Sequence, residues 1–310
     1  MRTLICGSVA YDTIMVFQDH FRKHILPDQI HILNVSFLVP DMRREFGGCA
    51  GNIAYSLKML GGDPLIMATV GQDWQPYAYR LEKLRLSQAH VREVPEAFTA
   101  QAFITTDLDD NQITAFHPGA MNFSHLNHIA DAKDVGLGIV SPDGRDGMLQ
   151  HAREFYAAGV PFIFDPGQGL PLFNGDDLMN FIRQADYVTT NDYEAKLVQE
   201  RTGKTVEELS KLVRAFIVTE GALGSRIYSK GEIETIPTVK PARVLDPTGC
   251  GDAYRAGLLF GMANGMDWAT TGRLASLLGS IKIAERGAQN HVFTRDEIGT
   301  RFKEAFGRSL

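Results

Sequence analysis

Cysteine is scarce in this chain. Its 310 residues include only three, Cys6, Cys49 and Cys250, with neither a CxxC pair nor a Cys/His spacing. An odd, scattered set argues against a disulfide framework or a structural zinc site and favours a reducing compartment. Positive charge is also in deficit, 31 Lys and Arg against 37 Asp and Glu, for a formal net charge of −6. No global basic field is offered to nucleic acid or to an anionic membrane, so any phosphate-bearing ligand must be held by local geometry. Long apolar runs are missing too. No stretch approaches the roughly 18 consecutive apolar residues of a membrane span. The short run in MRTLICGSVAYD reads as a buried strand rather than a signal peptide. The expectation is a cytoplasmic protein with no nucleic-acid or membrane partner. Several catalytic motifs are absent as well: there is no GxxxxGK[ST], no GxGxxG after the first strand, and no HExxH or Ser/His/Asp arrangement that stands out. His117, alone beside a proline in FHPGA, reads as structural.

What is present is ordinary globular composition, 44% hydrophobic and 22% charged, enough for one large α/β domain or one domain with a smaller inserted piece. Thr3 to Asp12 is an apolar strand entering a glycine turn. His31 to Val39 alternates like a half-exposed strand. Gly47 to Leu60 predicts a glycine-started helix with Ile53, Leu57 and Leu60 at helical spacing. Asp63 to Gly71 is a further buried strand, and Phe98 to Phe116 forms two alternating runs around DLDDN, a hairpin signal. From Val135 the rhythm becomes strand, helix, strand, which argues for a parallel sheet with helices on both faces. The two half-polar, strand-like pieces most simply make a small β lid, residues 13–45 and 96–117. The body is then 1–12, 46–95 and 118–310.

The chemistry concentrates at glycine-rich turns. In VLDPTGCGDAYRAG the residues Gly249, Cys250 and Gly251 leave the backbone uncovered just before a helix opened by Asp252. Unpaired N–H groups and the dipole at a helix N-terminus bind anions, and glycines let a phosphate approach. Asp252 is then either a catalytic carboxylate beside that cradle or an N-terminal cap. The stretch REFGGCAGNIAY offers Gly47-Gly48 as a hinge and Asn52 as a hydroxyl-binding amide, or alternatively a flexible turn before a packed helix. Asp12 lies just past the first strand, where open parallel sheets bind ligands. In NDYE, Asn191 and Glu194 are one helical turn apart and suited to hold a hydrated Mg²⁺, or else to start the helix. TEGALGS, Thr219 to Ser225, is a glycine-rich turn or a β-hairpin.

Taken in order, GGCAGNIA, NDYE, TEGALGS and DPTGCGDAYRAG resemble the motifs of the ribokinase-like (PfkB) family of carbohydrate and nucleoside kinases, over nearly the full chain. Cys250 stands where that family usually has alanine and Tyr254 where it has phenylalanine. The resemblance implies a Rossmann-like α/β body, with a central mostly parallel sheet flanked by helices, and a small β-sheet lid. It also implies MgATP as phosphoryl donor and a primary hydroxyl as acceptor. It makes Asp252 the general base, Gly249, Cys250 and Gly251 the anion hole, and Asn191 and Glu194 the Mg²⁺-phosphate motif. It places Thr219, Gly221, Gly224, Ser276 and Ala288 around ATP. Asp12, Gly48 and Asn52 fall at the sugar, and Asp246 and Thr248 at a monovalent-cation (K⁺) site found in many members.

The acceptor is read from the lid. Its apolar residues Ile14, Val16, Phe17, Phe37, Phe103 and Phe116 are either a slot for a nucleoside base or the lid's own small core. The wider run around the lid resembles the bacterial adenosine-kinase-like branch, which implies adenosine phosphorylated at its 5′-hydroxyl to give AMP. Inosine or guanosine comes next, then a sugar such as ribose or fructose, and last a non-catalytic ligand sensor on the same fold. The lid edges permit either a monomer or a lid-mediated homodimer.

Overall fold

The computed structural model describes residues 1–25, 34–109 and 111–310. Its strands are β1 (Arg2–Cys6), β2 (Ala10–Val16), β3 (Asp41–Gly47), β4 (Asp63–Gly71), β5 (Ser87–Val94), β6 (Ala100–Thr106), β7 (Gln112–His117), β8 (Val135–Val140), β9 (Phe162–Phe164), β10 (Tyr187–Asn191), β11 (Ala215–Thr219), β12 (Ser225–Ser229) and β13 (Glu232–Ile236). Its helices are α1 (Cys49–Met59), α2 (Gln75–Lys83), α3 (Arg145–Ala158), α4 (Gly175–Gln184), α5 (Asp192–Thr202), α6 (Val206–Ser210), α7 (Cys250–Ala263), α8 (Trp268–Lys282) and α9 (Arg295–Phe306). Among the described residues, nine strands form one sheet in the order β13-β12-β11-β10-β9-β8-β1-β4-β5. It is parallel from β5 to β11 and antiparallel at the β11-β12-β13 edge. No helix among the described residues is long and apolar enough to cross a membrane.

Helices cover both faces of this sheet, so its central strands are apolar on both sides. Leu4, Cys6, Val140, Phe164, Phe216 and Val218 join the core under α3 to α6. The alternate residues Ile5, Ile139, Ile163 and Ile217 join the core under α1, α2, α7, α8 and α9. Ile53 and Leu57 on α1 and Leu60 at its C-cap are buried, as the spacing predicts. The chain entering the helix packs closely on the backbone after β1 because Gly48 takes φ +86°; a Cβ there would lie 2.5 Å from Ser8 O and 2.6 Å from Ala10 N.

A second sheet has the order β3-β2-β6-β7. The hairpin expected around DLDDN is β6–β7. No strand is formed by the described part of the stretch expected as a strand, His31 to Val39. Residues 31–33 lie outside the described set, and 34–39 have no regular structure. The strand pairing with β2 is instead the charged DMRREFG of β3, which alternates polar residues on both faces and so carries little strand signal. The boundaries shift accordingly. β2 begins at Ala10 and β3 ends at Gly47, so Asp12, expected in the body, belongs to the second sheet.

Candidate active site

The parallel strands end on one side of the large sheet, and the sequence-predicted residues gather there. The order β8-β1-β4 makes this a topological switch point, where connections run to opposite sides and leave a crevice. Ser141 follows β8, Asp165 follows β9, Asn191 closes β10 and Thr219 closes β11.

Above these strand ends α7 begins. Gly249 is its N-cap at φ +79°, a left-handed conformation in which a Cβ would meet Ala288 Cβ at 2.7 Å. The Cys250 amide donates to Pro247 O and that of Ala253 to Gly249 O. The N–H groups of Gly249, Gly251 and Asp252 have no acceptor among the described residues. They form a cradle of donors at the positive end of a helix of 14 residues. Burial raises the Cys250 thiol to about 11, so it stays protonated, and because its amide is taken by Pro247 O the expected anion hole loses Cys250 and gains Asp252.

Asp252 sits at the rim of that cradle. Asn52 Nδ2 donates to its Oδ2 at 2.8 Å. Asn52 Oδ1 accepts from Gln289 Nε2 at 3.0 Å, and the same nitrogen donates to the Tyr77 hydroxyl at 2.6 Å. Tyr77 in turn donates to Gly47 O at 2.9 Å. This chain fixes the Asp252 carboxylate and ties it to the end of β3. Asn52 thereby orients Asp252, while the second hydrogen on its Nδ2 has no acceptor among the described residues. Although solvent reaches part of Asp252, the surrounding protein desolvates its carboxylate and lifts its pKa to about 6. Asp12 is likewise lifted to about 6, by burial and then by the charges of Asp252, Asp246 and Glu45. The Asp12 carboxylate has no hydrogen-bond donor among the described residues, and the missing Cβ of Gly47 leaves it room: that atom would lie 2.6 Å from Asp12 Oδ2. Two carboxylates thus face one crevice, one oriented and one free to accept hydrogen bonds.

Beneath the cradle lies an ion pair invisible in the motifs. Arg255 Nε and Nη2 each donate to Asp165 at 2.7 Å, with side chains 7% and 2% exposed. Ser141 Oγ also donates to Asp165. Arg255 Nη2 is 4.0 Å from Glu194 Oε2. Helix side chains lean toward the N-terminus, so the guanidinium covers Gly251, where a Cβ would lie 2.7 Å from Nη1. Asn191 and Glu194 form a capping box on α5, each side chain accepting from the other's backbone. Burial raises the Glu194 pKa, with Arg255 opposing and Asp165 adding to the rise. Glu194 and Asp165 outnumber the one guanidinium between them, so the residues present suit a hydrated divalent cation nearby.

The other expected ATP residues scatter more. Thr219 ends β11, and Gly221 (φ +56°) and Gly224 (φ +97°) turn the chain into the antiparallel β12, so TEGALGS is the hairpin connection. Ser276 is half-buried on α8 and donates to Pro237 O. Ala288 is 2% exposed and packs against Gly249, so its side chain backs the cradle instead of opening to a ligand. At the expected potassium site, Asp246 is already engaged through all of its oxygens. The Asp246 carboxylate already accepts from the Thr248 and Gly287 amides, and its carbonyl accepts from Lys282.

The aromatic set divides by register. Asp12 pairs with Ala102, and Ala102 with Phe116, so Phe116 shares the Asp12 face and is 53% exposed. Phe103 pairs with Thr13 and lies on the opposite face, away from Asp12. Phe17 and Phe37 stack with Phe21 in a small cluster of their own, with Phe17–Phe37 centroids 4.8 Å apart. Three of the four aromatics are therefore removed from the expected base slot. A groove of about 510 Å³ lined by Arg145, Leu172, Asn174, Asp177 and Arg201 lies elsewhere. Both of its arginines are committed, Arg145 to Asp177 and Arg201 to backbone carbonyls, so it offers less chemistry than the strand ends.

Comparison with known proteins agrees with this geometry. The profile described as pfkB family carbohydrate kinase matches residues 9–295. The chain is 31% identical over 275 residues to a nucleoside kinase of Methanocaldococcus jannaschii, spanning 87% of this chain and 90% of that one. It is similar to the solved nucleoside kinase of Burkholderia thailandensis in complex with inosine, at 57% identity, TM-score 0.91 and 99% of each chain. The same enzyme in complex with ADP-inosine matches at 59% identity and TM-score 0.88, over 99% of this chain and 97% of that one.

Proposed function

The chain belongs to the pfkB family of carbohydrate kinases and is a phosphotransferase with a hydroxyl acceptor, and on that premise we propose that it phosphorylates the 5′-hydroxyl of purine nucleosides from MgATP. The observation that carries this reading is an oriented, raised Asp252 beside three unengaged N–H groups, with Asp12 across the crevice. Asp12 accepts hydrogen bonds from the ribose hydroxyls and thereby aims the 5′-oxygen at Asp252. Asp252 takes the 5′-hydroxyl proton as the oxygen bonds to phosphorus and the bond to the ADP oxygen breaks. In a loose phosphoryl-transfer transition state, positioning and charge stabilisation carry most of the rate. The N–H groups of Gly249, Gly251 and Asp252 meet the equatorial oxygens as charge builds there. Glu194 and Asn191 would hold Mg²⁺ through its waters, and that ion, when bound, neutralises the β- and γ-phosphate oxygens. The second sheet, β3-β2-β6-β7, acts as the lid that excludes water.

The inosine complexes of the Burkholderia relative favour inosine as acceptor. The sequence resemblance to adenosine-kinase-like proteins supports adenosine as the second reading. A MgATP-consumption panel over inosine, guanosine, adenosine, cytidine, ribose and fructose tests both. Purine nucleosides are expected to lead the free sugars in kcat/KM by on the order of 10-fold or more, since a pocket shaped for a base is left unfilled by a sugar. A free sugar as best acceptor would overturn the reading, and the order of inosine and adenosine decides between its two forms.

Two further outcomes are expected. Asp12→Ala should raise the acceptor KM strongly and leave the ATP KM nearly unchanged; equal loss of both would remove Asp12 from the acceptor site. Asp252 works as its anion, and both Asp252 and Asp12 ionise near pH 6. As pH falls through 6 both gain protons, so kcat/KM should drop with a limiting slope steeper than one. Asp12→Asn should return that slope to one while Asp252 still titrates. A flat profile down to pH 5 would contradict both assignments.

A further inference from the structure

The family resemblance implies a monovalent-cation site at Asp246 and Thr248, and there the Asp246 carbonyl already holds a cation. The reason is Lys282, the last residue of α8. Its side chain is fully buried. Its Nζ donates to Asp246 O at 2.8 Å and to Glu285 O at 3.0 Å. Those carbonyls belong to the two segments that flank the cradle: the irregular entry to α7 and the loop that follows α8. Other bonds stitch the same pair. Leu245 and Asp246 amides donate to Ile283 O, and the Gly287 amide donates to Asp246 Oδ2 at 2.8 Å. An ammonium and a potassium ion are close in size, carry the same charge and take carbonyl oxygens in the same way. A buried lysine that ligates backbone carbonyls is costly unless those carbonyls need a cation. Burial draws its pKa down, while the charges of Asp246, Glu285 and Asp252 act to keep its proton on.

We propose that the Lys282 ammonium is a tethered monovalent cation: it holds the two segments together behind the Gly249–Asp252 cradle and makes the enzyme independent of potassium. The inference rests on the kinase reading only for its activity readout; the melting readout stands without it. Lys282 is a positioning residue. It touches the backbone that shapes the cradle and does not reach the substrate. A dissociable ion would make the rate depend on salt composition, whereas a tethered one makes it constant.

The test compares wild type and Lys282→Met in buffers whose only added monovalent cation is tetramethylammonium, sodium, potassium or rubidium. Wild-type kcat and melting temperature should be flat across all four. Lys282→Met should lose on the order of 10-fold or more in kcat without potassium. It should recover saturably with potassium or rubidium and less with sodium, with its melting temperature rising in the same order. Three results would overturn the proposal: a wild type activated several-fold by potassium, a variant fully active without it, or a folded variant that no cation rescues or stabilises. If Lys282→Met does not fold, Lys282→Gln, which keeps an uncharged NH2 donor for the carbonyls, carries the same comparison.

Discussion

Asp252→Asn is expected to lower kcat by about 10²–10⁴-fold, the range for losing a positioned general base, while the nucleoside dissociation constant changes little. Asparagine keeps the size of the side chain and an oxygen that accepts from Asn52 Nδ2, so the chain through Gln289 and Tyr77 stays closed. Only the ability to take a proton is removed. Single-turnover phosphorylation together with calorimetric nucleoside binding measures the two quantities separately. Near-normal turnover would end the assignment of Asp252 as base. The same variant should also be more stable at pH 7. The folded pKa of about 6 lies above the ordinary carboxylate value of 3.8. Folding therefore favours the protonated form, and that stabilisation, complete at low pH, is lost as pH rises through 6. At pH 7 the folded state carries the cost of a desolvated anion, roughly 1–3 kcal/mol. Asparagine removes this cost, so melting temperature should rise as activity falls, and the rise should vanish near pH 4.

Arg255→Met should have the largest effect on stability. It leaves Asp165 buried at 2% exposure with Ser141 as its remaining side-chain donor. Breaking one partner of a buried ion pair costs about 3–5 kcal/mol because the other charge stays uncompensated. Adding Asp165→Asn removes the stranded charge and should recover much of the loss. Denaturant melts of the two single variants and the double variant give the coupling directly. If Arg255→Met costs under about 1 kcal/mol, the range of an exposed pair, the buried bridge does not hold α7 to β9. The pair also steadies the cradle, so kcat should fall in Arg255→Met even below the melting transition.

What the sequence made legible was backbone demand. Gly48 and Gly249 sit at positive φ with close neighbours behind them, and a chain that needs such positions writes them as glycine before a helix. The Asn191/Glu194 spacing was legible for the same reason, since a capping box is local. What escaped was whatever depends on two distant segments meeting. Gln289 bonds Asn52 across 237 residues, Asp165 bonds Arg255 across 90, and Lys282 bonds Asp246 across 36. Gln289, Asp165 and Lys282 each look ordinary in their own neighbourhood. The facing of the aromatics was equally hidden, because which side of the second sheet Phe103 occupies follows from its pairing with Thr13. β3 and β5 escaped since charged and polar residues on both faces mask the alternation.

The guanidinium lying across Gly251 ties two positions together in any future change of this sequence. Gly251 is helical, and alanine at such a position would ordinarily be gained without strain and add about 0.5–1 kcal/mol to the helix. Here that route is closed, because the methyl group would press on an Arg255 that two bonds to Asp165 hold in place. A chain could acquire alanine at 251 only after residue 255 had shortened, and arginine at 255 only while 251 stayed bare. The order of substitution is therefore constrained, and Gly251→Ala should be harmful alone and tolerated in the company of Arg255→Met with Asp165→Asn.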